Sequence, residues 1–309
     1  MDEFELIERA FRARAPVTHP WTRVPNGDDA SVHAGPDGMD IVVSTDTSAA
    51  GRHWPEDAPL DRAAARAVNA ALSDLAAMGA EAAWCWLNVM AREAGEADAM
   101  GEGATRALAA ARVELAGGDT VRAPMNALAV TVAGLVPEGR AMRRSEARAG
   151  DDLWLAGECG PAAWALEAWQ AGRRDAEARR FLNVRPLLAE GVRLREAGVR
   201  CCIDVSDGLL ADAGHVARAS GVGLEIWLED VPGFAWLGER VEEARAARLA
   251  LAGGEDYALL FAASPELRER LAGMGSRVGA CVADHPGLVR ATLRGRPVAC
   301  DAVGFRHFG

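Results

Sequence analysis

Hydrophobic and polar positions along the chain switch between a period of two and a period near 3.6, and the switches mark a succession of strands and helices. The β-branched run MDIVVST at 39–45 predicts a strand, LDRAAARAVNAALSDLAAMGA at 60–80 an Ala-rich helix, and AAWCWLNVMA at 82–91 a second strand. A helix over 97–115 follows, then NALAVTVAGLV at 126–136, a strand stopped by Pro137. The polar, arginine-rich stretch PEGRAMRRSEARAGDD at 137–152 predicts a boundary between two domains, 1–137 and 138–309. Beyond it the pattern predicts strands over 153–158, 200–204, 222–228 and 257–263. Helices within 161–196 and over 208–219 and 238–250 separate them. An α+β first half therefore precedes a second half of α/β character. Trp84, Trp86, Trp154, Trp164 and Trp227 fall inside these elements and are assigned to the core.

Composition narrows the function more than the fold. A formal charge of -11 disfavours nucleic acid, whose phosphates call for clustered positive charge, and leaves metal cations and cationic small molecules as partners. The chain has no lysine, so a Walker-type GxxxxGK[ST] phosphate loop cannot exist in it. Six cysteines without a CxxC pair argue against a disulfide framework and a zinc site, and for reduced, buried thiols. No apolar run approaches the roughly 20 residues of a membrane-spanning helix, and the opening MDEFELIERAFRARAP is amphipathic and acidic, unlike a secretory signal. A soluble, cytoplasmic protein is expected.

Four segments place aspartate beside glycine, serine or threonine at the edge of an element: NGDDA (26–30), VSTDT (43–47), AGGDT (116–120) and IDVSDG (203–208). Asp74 is a fifth acid, on a helix otherwise built from small apolar residues. Singly, each segment has an ordinary explanation as a turn, a strand end or, for Ser206 or Asp207, a helix N-cap. Together they pose an electrostatic problem. Two carboxylates 4 Å apart repel by about 4 kcal/mol at an effective dielectric of 20, so a converging cluster needs cations. Magnesium, held by a few carboxylates together with substrate phosphates, suits an all-oxygen donor set. Ligands in α/β proteins gather at the carboxyl ends of strands. There Asp204 and Asp207 can carry metal while Ser206 and the following helix N-terminus offer phosphate contacts.

These segments, in this order, resemble the thiamine-monophosphate kinase family, within the superfamily sharing the ATP-binding fold of aminoimidazole ribonucleotide synthetase. The matching stretches are GDDA (27–30), STDT (44–47) with AGRHW (50–54), NAALSDLAAMGA (69–80), GGDT (117–120), GRAMRRSEARAGD (139–151), IDVSDGLLADAGH (203–215), GGEDYALLF (253–261) and GFRHF (304–308). The resemblance implies an N-terminal sheet-forming, ATP-binding domain that packs against its twin in a homodimer, and a C-terminal α/β domain. It implies transfer of the ATP γ-phosphoryl group to thiamine monophosphate, with several magnesium ions and no covalent protein nucleophile. By position it assigns metal to Asp28, Ser44, Thr45, Asp46, Asp74, Asp119, Asp204 and Asp207. ATP contacts fall to Gly118, Asp119, Arg144 and Ser206, with Arg143 the neighbour of Arg144 that competes for that place. Substrate contacts fall to His53, Glu255 and Phe305. The chain departs from the family at Gly101, where an aromatic residue usually lies near the nucleotide, and at Phe305, which can stack on flat rings but lacks the polar handle of tyrosine or tryptophan. Two alternatives stay open: another ATP-using synthetase or kinase of the superfamily with a different acceptor, and a nucleotide- and metal-binding module without catalysis.

Overall fold

The computed structural model describes residues 20–25 and 27–298. Two sheets organise them. The first has six strands: β1 (Thr22–Val24), β2 (Ser31–Ala34), β3 (Met39–Ala49), β4 (Glu81–Ala91), β5 (Glu114–Arg122) and β6 (Ala127–Pro137), in spatial order β1-β2-β3-β6-β4-β5. Neighbours are antiparallel except β4 and β5, which are parallel and joined through helix α2 (Ala94–Ala111). The second sheet has seven: β7 (Asp152–Ala156), β8 (Cys201–Val205), β9 (Gly223–Trp227), β10 (Ala258–Ala263), β11 (Ser276–Val282), β12 (Val289–Leu293) and β13 (Arg296–Pro297). Their order is β13-β12-β9-β11-β7-β10-β8, and only β9 and β12 run parallel. Helices α3 (Pro161–Gln170), α4 (Leu188–Ala197), α5 (Leu209–Ser220), α6 (Phe234–Gly238) and α7 (Glu243–Ala252) accompany this second sheet.

Helix α1 (Leu60–Ala77) joins the two halves, and its composition explains how. Its buried alanines, from Ala63 to Ala77, let β3 and β6, α2 and α4 approach the helix closely. Arg66, Asn69 and Ser73 form a polar stripe at the three- and four-residue spacing that keeps side chains on one helical face, with Asp74 beside its end. That stripe meets the second half: Arg66 Nε donates to the carbonyl of Phe181 (3.2 Å) and Asn69 Nδ2 to that of Val184 (2.8 Å). Close approach is built in by glycine. A Cβ on Gly191 of α4 would lie 2.1 Å from the carbonyl oxygen of Ala76, and one on Gly103 of α2 would lie 1.8 Å from that of Asp61.

Most predicted elements are present within a few residues. The Trp assignment needs correcting: Trp154 and Trp164 are buried, but Trp86 is 40 % exposed, on the face of β4 opposite buried Cys85, Leu87 and Val89. Apolar residues occupy both faces of that strand, and α1 covers only one. Cys85, Cys159, Cys201, Cys202 and Cys281 are free and buried, as expected, and among the described residues no helix is long and apolar enough to cross a membrane.

Replacing Gly191 with alanine forces α4 away from α1 and should destabilise the chain by about 1–3 kcal/mol, the usual range for overpacking. Gly101→Ala, on α2 with open space where its Cβ would go, should stabilise by about 0.5–1 kcal/mol. Thermal unfolding of the two variants beside the parent checks both signs.

Candidate active site

Four stretches of chain deliver acids to the junction between the sheets. The 27–30 turn precedes β2; β3 supplies Ser44, Thr45 and Asp46; α1 supplies Asp74; and β8 ends at Val205 after placing Asp204. Carboxylate oxygens of Asp29, Asp74 and Asp204 lie within 4.8 Å of one another. Asp29 and Asp204 are buried, Asp74 half-buried, and Ser44 Oγ donates to Asp74 Oδ2 at 2.5 Å.

One cation is already there. The Arg144 guanidinium holds Asp29 bidentately, Nη2 to Oδ1 at 2.7 Å and Nε to Oδ2 at 3.1 Å, while its backbone N–H lies 3.3 Å from both Asp28 oxygens. Arg143 turns away to pair with Glu146, so the geometry separates these neighbours. Burial opposes the charge on Arg144, but Asp29, Asp28 and Asp204 overcome it and push its pKa up. A single arginine leaves the acids undercompensated. Burial first, and Asp29 next, push Asp204 up to about 8; the same two causes push Asp28 up to about 6. Burial, then Asp204, Asp29 and Asp46, raise Asp74 well above the ordinary carboxylate range. Clustered oxygens that resist ionisation for want of positive charge are a fitting donor set for a hard divalent ion.

A cavity of about 170 Å³ opens over this cluster. Thr45, Asp46, His53, Asp74, Asp204, Ser206, Asp207 and Glu255 line it together with Ser48 and Tyr257. His53 is fixed by the N–H of Ala49, which donates to Nδ1 at 3.0 Å; in the neutral ring the proton is then on Nε2, a donor suited to phosphate. Glu255 pairs with Arg66 from the polar stripe of α1. Its φ of +67° and the +52° of Tyr257 are left-handed values that non-glycine residues rarely adopt. Hydrogen bonds hold this strain: Glu255 N–H to the Ser206 carbonyl and Tyr257 N–H to that of Val205, both 2.8 Å. Between them Asp256 accepts from the N–H groups of Gly160 (2.6 Å) and Ala162 (3.0 Å) at the start of α3.

Not every expected residue arrives. Gly118 and Asp119 are exposed on the edge strand β5. Register places Asp46 opposite Val130, Val130 opposite Leu87 and Leu87 opposite Gly118. Three strand spacings, roughly 14 Å, therefore separate Asp46 from the Asp119 region within one chain. Phe305 lies outside the described residues. The N-cap alternative for Ser206 and Asp207 does not hold: the cap position of α5 is Gly208, without a side-chain cap. Asp29 and Tyr257 were not anticipated. The doublet Asp28–Asp29 signalled an acidic turn, but not which carboxylate enters the cluster.

Comparison with known proteins identifies the family. The family described as AIR synthase related protein matches in two parts, its N-terminal domain over residues 27–136 and its C-terminal domain over 148–304. The thiamine-monophosphate kinase of Escherichia coli (strain K12) is 37% identical, over 99% of this chain and 98% of that protein. The crystal structure of thiamine-monophosphate kinase from Stenotrophomonas maltophilia K279a is 34% identical with a TM-score of 0.78, covering 96% of this chain and 98% of that one. AaThiL, complexed with AMPPCP and TMP, shares the fold at a TM-score of 0.85 and 24% identity over 99% of this chain and 97% of its own. Full-length identity of this order, together with both domain matches, establishes that the chain belongs to the thiamine-monophosphate kinase family.

Proposed function

We propose that the protein transfers the γ-phosphoryl group of ATP to the phosphate of thiamine monophosphate, giving thiamine diphosphate and ADP. The observation that carries this reading is the buried convergence of Asp29, Asp74 and Asp204 under a cleft lined by Asp46, Asp207, His53 and Glu255, in a chain of this family. An oxygen of the acceptor phosphate attacks the γ-phosphorus while the bond to the β–γ bridging oxygen breaks. Such transfers ask the protein for positioning and charge neutralisation rather than a nucleophile. Magnesium held by Asp28, Asp29, Ser44, Thr45, Asp46, Asp74, Asp204 and Asp207 would neutralise the phosphates and let two anions meet.

The chain's own groups divide the remaining tasks. Arg144 and Ser206 serve the nucleotide phosphates, and Arg144 keeps the buried acids together before any ion arrives. His53 Nε2–H donates to the substrate phosphate. Glu255, aimed by Arg66, faces the cationic thiazolium or the aminopyrimidine, and Phe305 stacks on the rings. Residues 1–137 form the ATP- and magnesium-binding domain and 138–309 the second. The free buried cysteines suit a reducing cytoplasm.

The active species in this reading is a homodimer. Trp86, Leu115 and Val121 are exposed on and beside β5, an apolar surface that a second copy would cover. Because Asp119 is three strands from Asp46, Gly118 and Asp119 would reach a metal-nucleotide site only from the partner subunit.

Purified protein with ATP and magnesium should form ADP only when thiamine monophosphate is present, with thiamine diphosphate identified by mass; transfer to a different acceptor instead would overturn the assignment. Asp46→Asn should lower kcat/KM by about 100-fold or more, the scale for losing one electrostatic contact to a transition state, with thermal unfolding unchanged. Coexpressed Asp46→Asn and Asp119→Asn chains should regain about a quarter of parental activity, since half the dimers are mixed and each has one intact site; no recovery would place both acids in one chain's site.

The raised acids also set a pH dependence. Above about pH 4 the metal-free folded state retains protons that the unfolded chain releases, on Asp28 up to about pH 6 and on Asp204 up to about pH 8, and Asp74 is raised in the same direction. Their contribution is therefore greatest at the acid end and lost as pH rises through the folded values. Melting curves should show magnesium raising Tm more at pH 8.5 than at pH 5.5; equal shifts would count against ion binding at these carboxylates.

A further inference from the structure

The loop from Ser206 to Gly208 places two cleft-lining side chains, and its backbone is held from an unexpected direction. Helix α5 starts at Leu209, and its cap residue Gly208, at φ 125°, is in a conformation that side chains rarely tolerate. Neither Ser206 nor Asp207 caps the helix. Asp212 reaches back from the first turn instead: its Oδ2 accepts the N–H groups of Ser206, Asp207 and Gly208, each at 3.1 Å. The residue is 3% exposed, and the cavity over the acid cluster is lined by Ser206 and Asp207 but not by Asp212. From the other side, the Ser206 carbonyl accepts the Glu255 N–H at 2.8 Å, and a Cβ on Gly254 would lie 2.6 Å from that same oxygen. The loop is thus pinned through its amides by Asp212 and through its carbonyl by the Glu255 segment.

Such an arrangement has a physical purpose. Three consecutive N–H groups converging on one point would be orphaned without an acceptor, and each buried orphan costs about 1–3 kcal/mol. A turn that supplies its own acceptor oxygen beneath the loop is set before ligand binds, so ordering it does not subtract from affinity. We infer that Asp212 is a positioning residue for the magnesium-nucleotide site: it presets the 206–208 loop so that Ser206 and Asp207 face the cleft, without touching the ligand itself. The inference rests on the phosphotransferase reading above and adds to it a residue outside the ligand-lining set.

The test is calorimetric titration of the full chain with the magnesium complex of a β,γ-methylene ATP analogue, which reads binding without turnover. Asp212→Ala removes the acceptor and Asp212→Glu moves it by one methylene, keeping the carboxyl group. Each should weaken binding by about tenfold or more, the usual effect of removing a group that orients a metal ligand. Asp212→Asn keeps an oxygen in place and should stay within about threefold of the parent, a change of under about 0.7 kcal/mol by the thermal-energy conversion. If the alanine variant does not fold, the glutamate variant carries the comparison. A second readout separates positioning from general stability: in an Asp207→Asn background the glutamate substitution should lose most of its effect, because the group it orients is already disabled. Binding by Asp212→Glu within twofold of the parent, or an equal loss in both backgrounds, would overturn the inference while leaving the phosphotransferase reading intact. A parent protein that fails to bind the magnesium complex would overturn both.

Discussion

Mutual repulsion among Asp29, Asp74 and Asp204 is the constraint around which the molecule is arranged. Three acids from a turn, a helix and a strand end are brought within 4.8 Å, in surroundings that disfavour the charge of Asp74 and Asp204. No arrangement of neutral side chains makes that favourable; positive charge has to be supplied. Arg144 supplies part of it through its bidentate hold on Asp29. The remainder defines what the site accepts, namely a hard cation and the phosphates that travel with it.

The fold serves that constraint by making the site a seam. α1 packs its alanines on the first sheet and directs Arg66, Asn69 and Asp74 at the second half, so one helix carries a cluster acid, an inter-half hydrogen bond and the partner of Glu255. Segments of the second half are locked to each other just as firmly. The left-handed Glu255 and Tyr257 are tied to the end of β8, and Asp256 to the start of α3. Strain on the order of 1–3 kcal/mol per such residue persists only where the surroundings overdetermine it, and here it points Glu255 into the cleft.

Much of this was legible in the sequence, for physical reasons that also mark where legibility ends. Helix α1 and strands β4 and β6 are long and strongly periodic, and they were located to within a few residues; β3 was found at its start, but its last four residues, 46–49, were not. β5 was not, because its Ala-Gly-Gly-Asp core has neither β-branched residues nor alternation; it is a strand because β4 pairs with it. The largely antiparallel second sheet was also hidden, since the order of elements fixes connectivity and not neighbours. Trp86 misled because a strand apolar on both faces reads as core even when one face is open within the chain. Among site residues, those adjacent to glycine, serine or threonine at strand ends were found. Asp29 was missed because two neighbouring acids cannot be ranked without knowing which faces Arg144. Asp212 carried no signal, because a buried acid in the first turn of a helix resembles an ordinary partner of the helix dipole.

Anomalous diffraction from crystals grown with manganese and a non-hydrolysable ATP analogue tests the central claim most directly. Manganese peaks at bonding distance from oxygens of Asp29, Asp74 and Asp204, shared with the analogue's phosphates, are the predicted result. Nucleotide bound in the cleft with no peak at these carboxylates, their repulsion relieved by protons alone, would contradict the account.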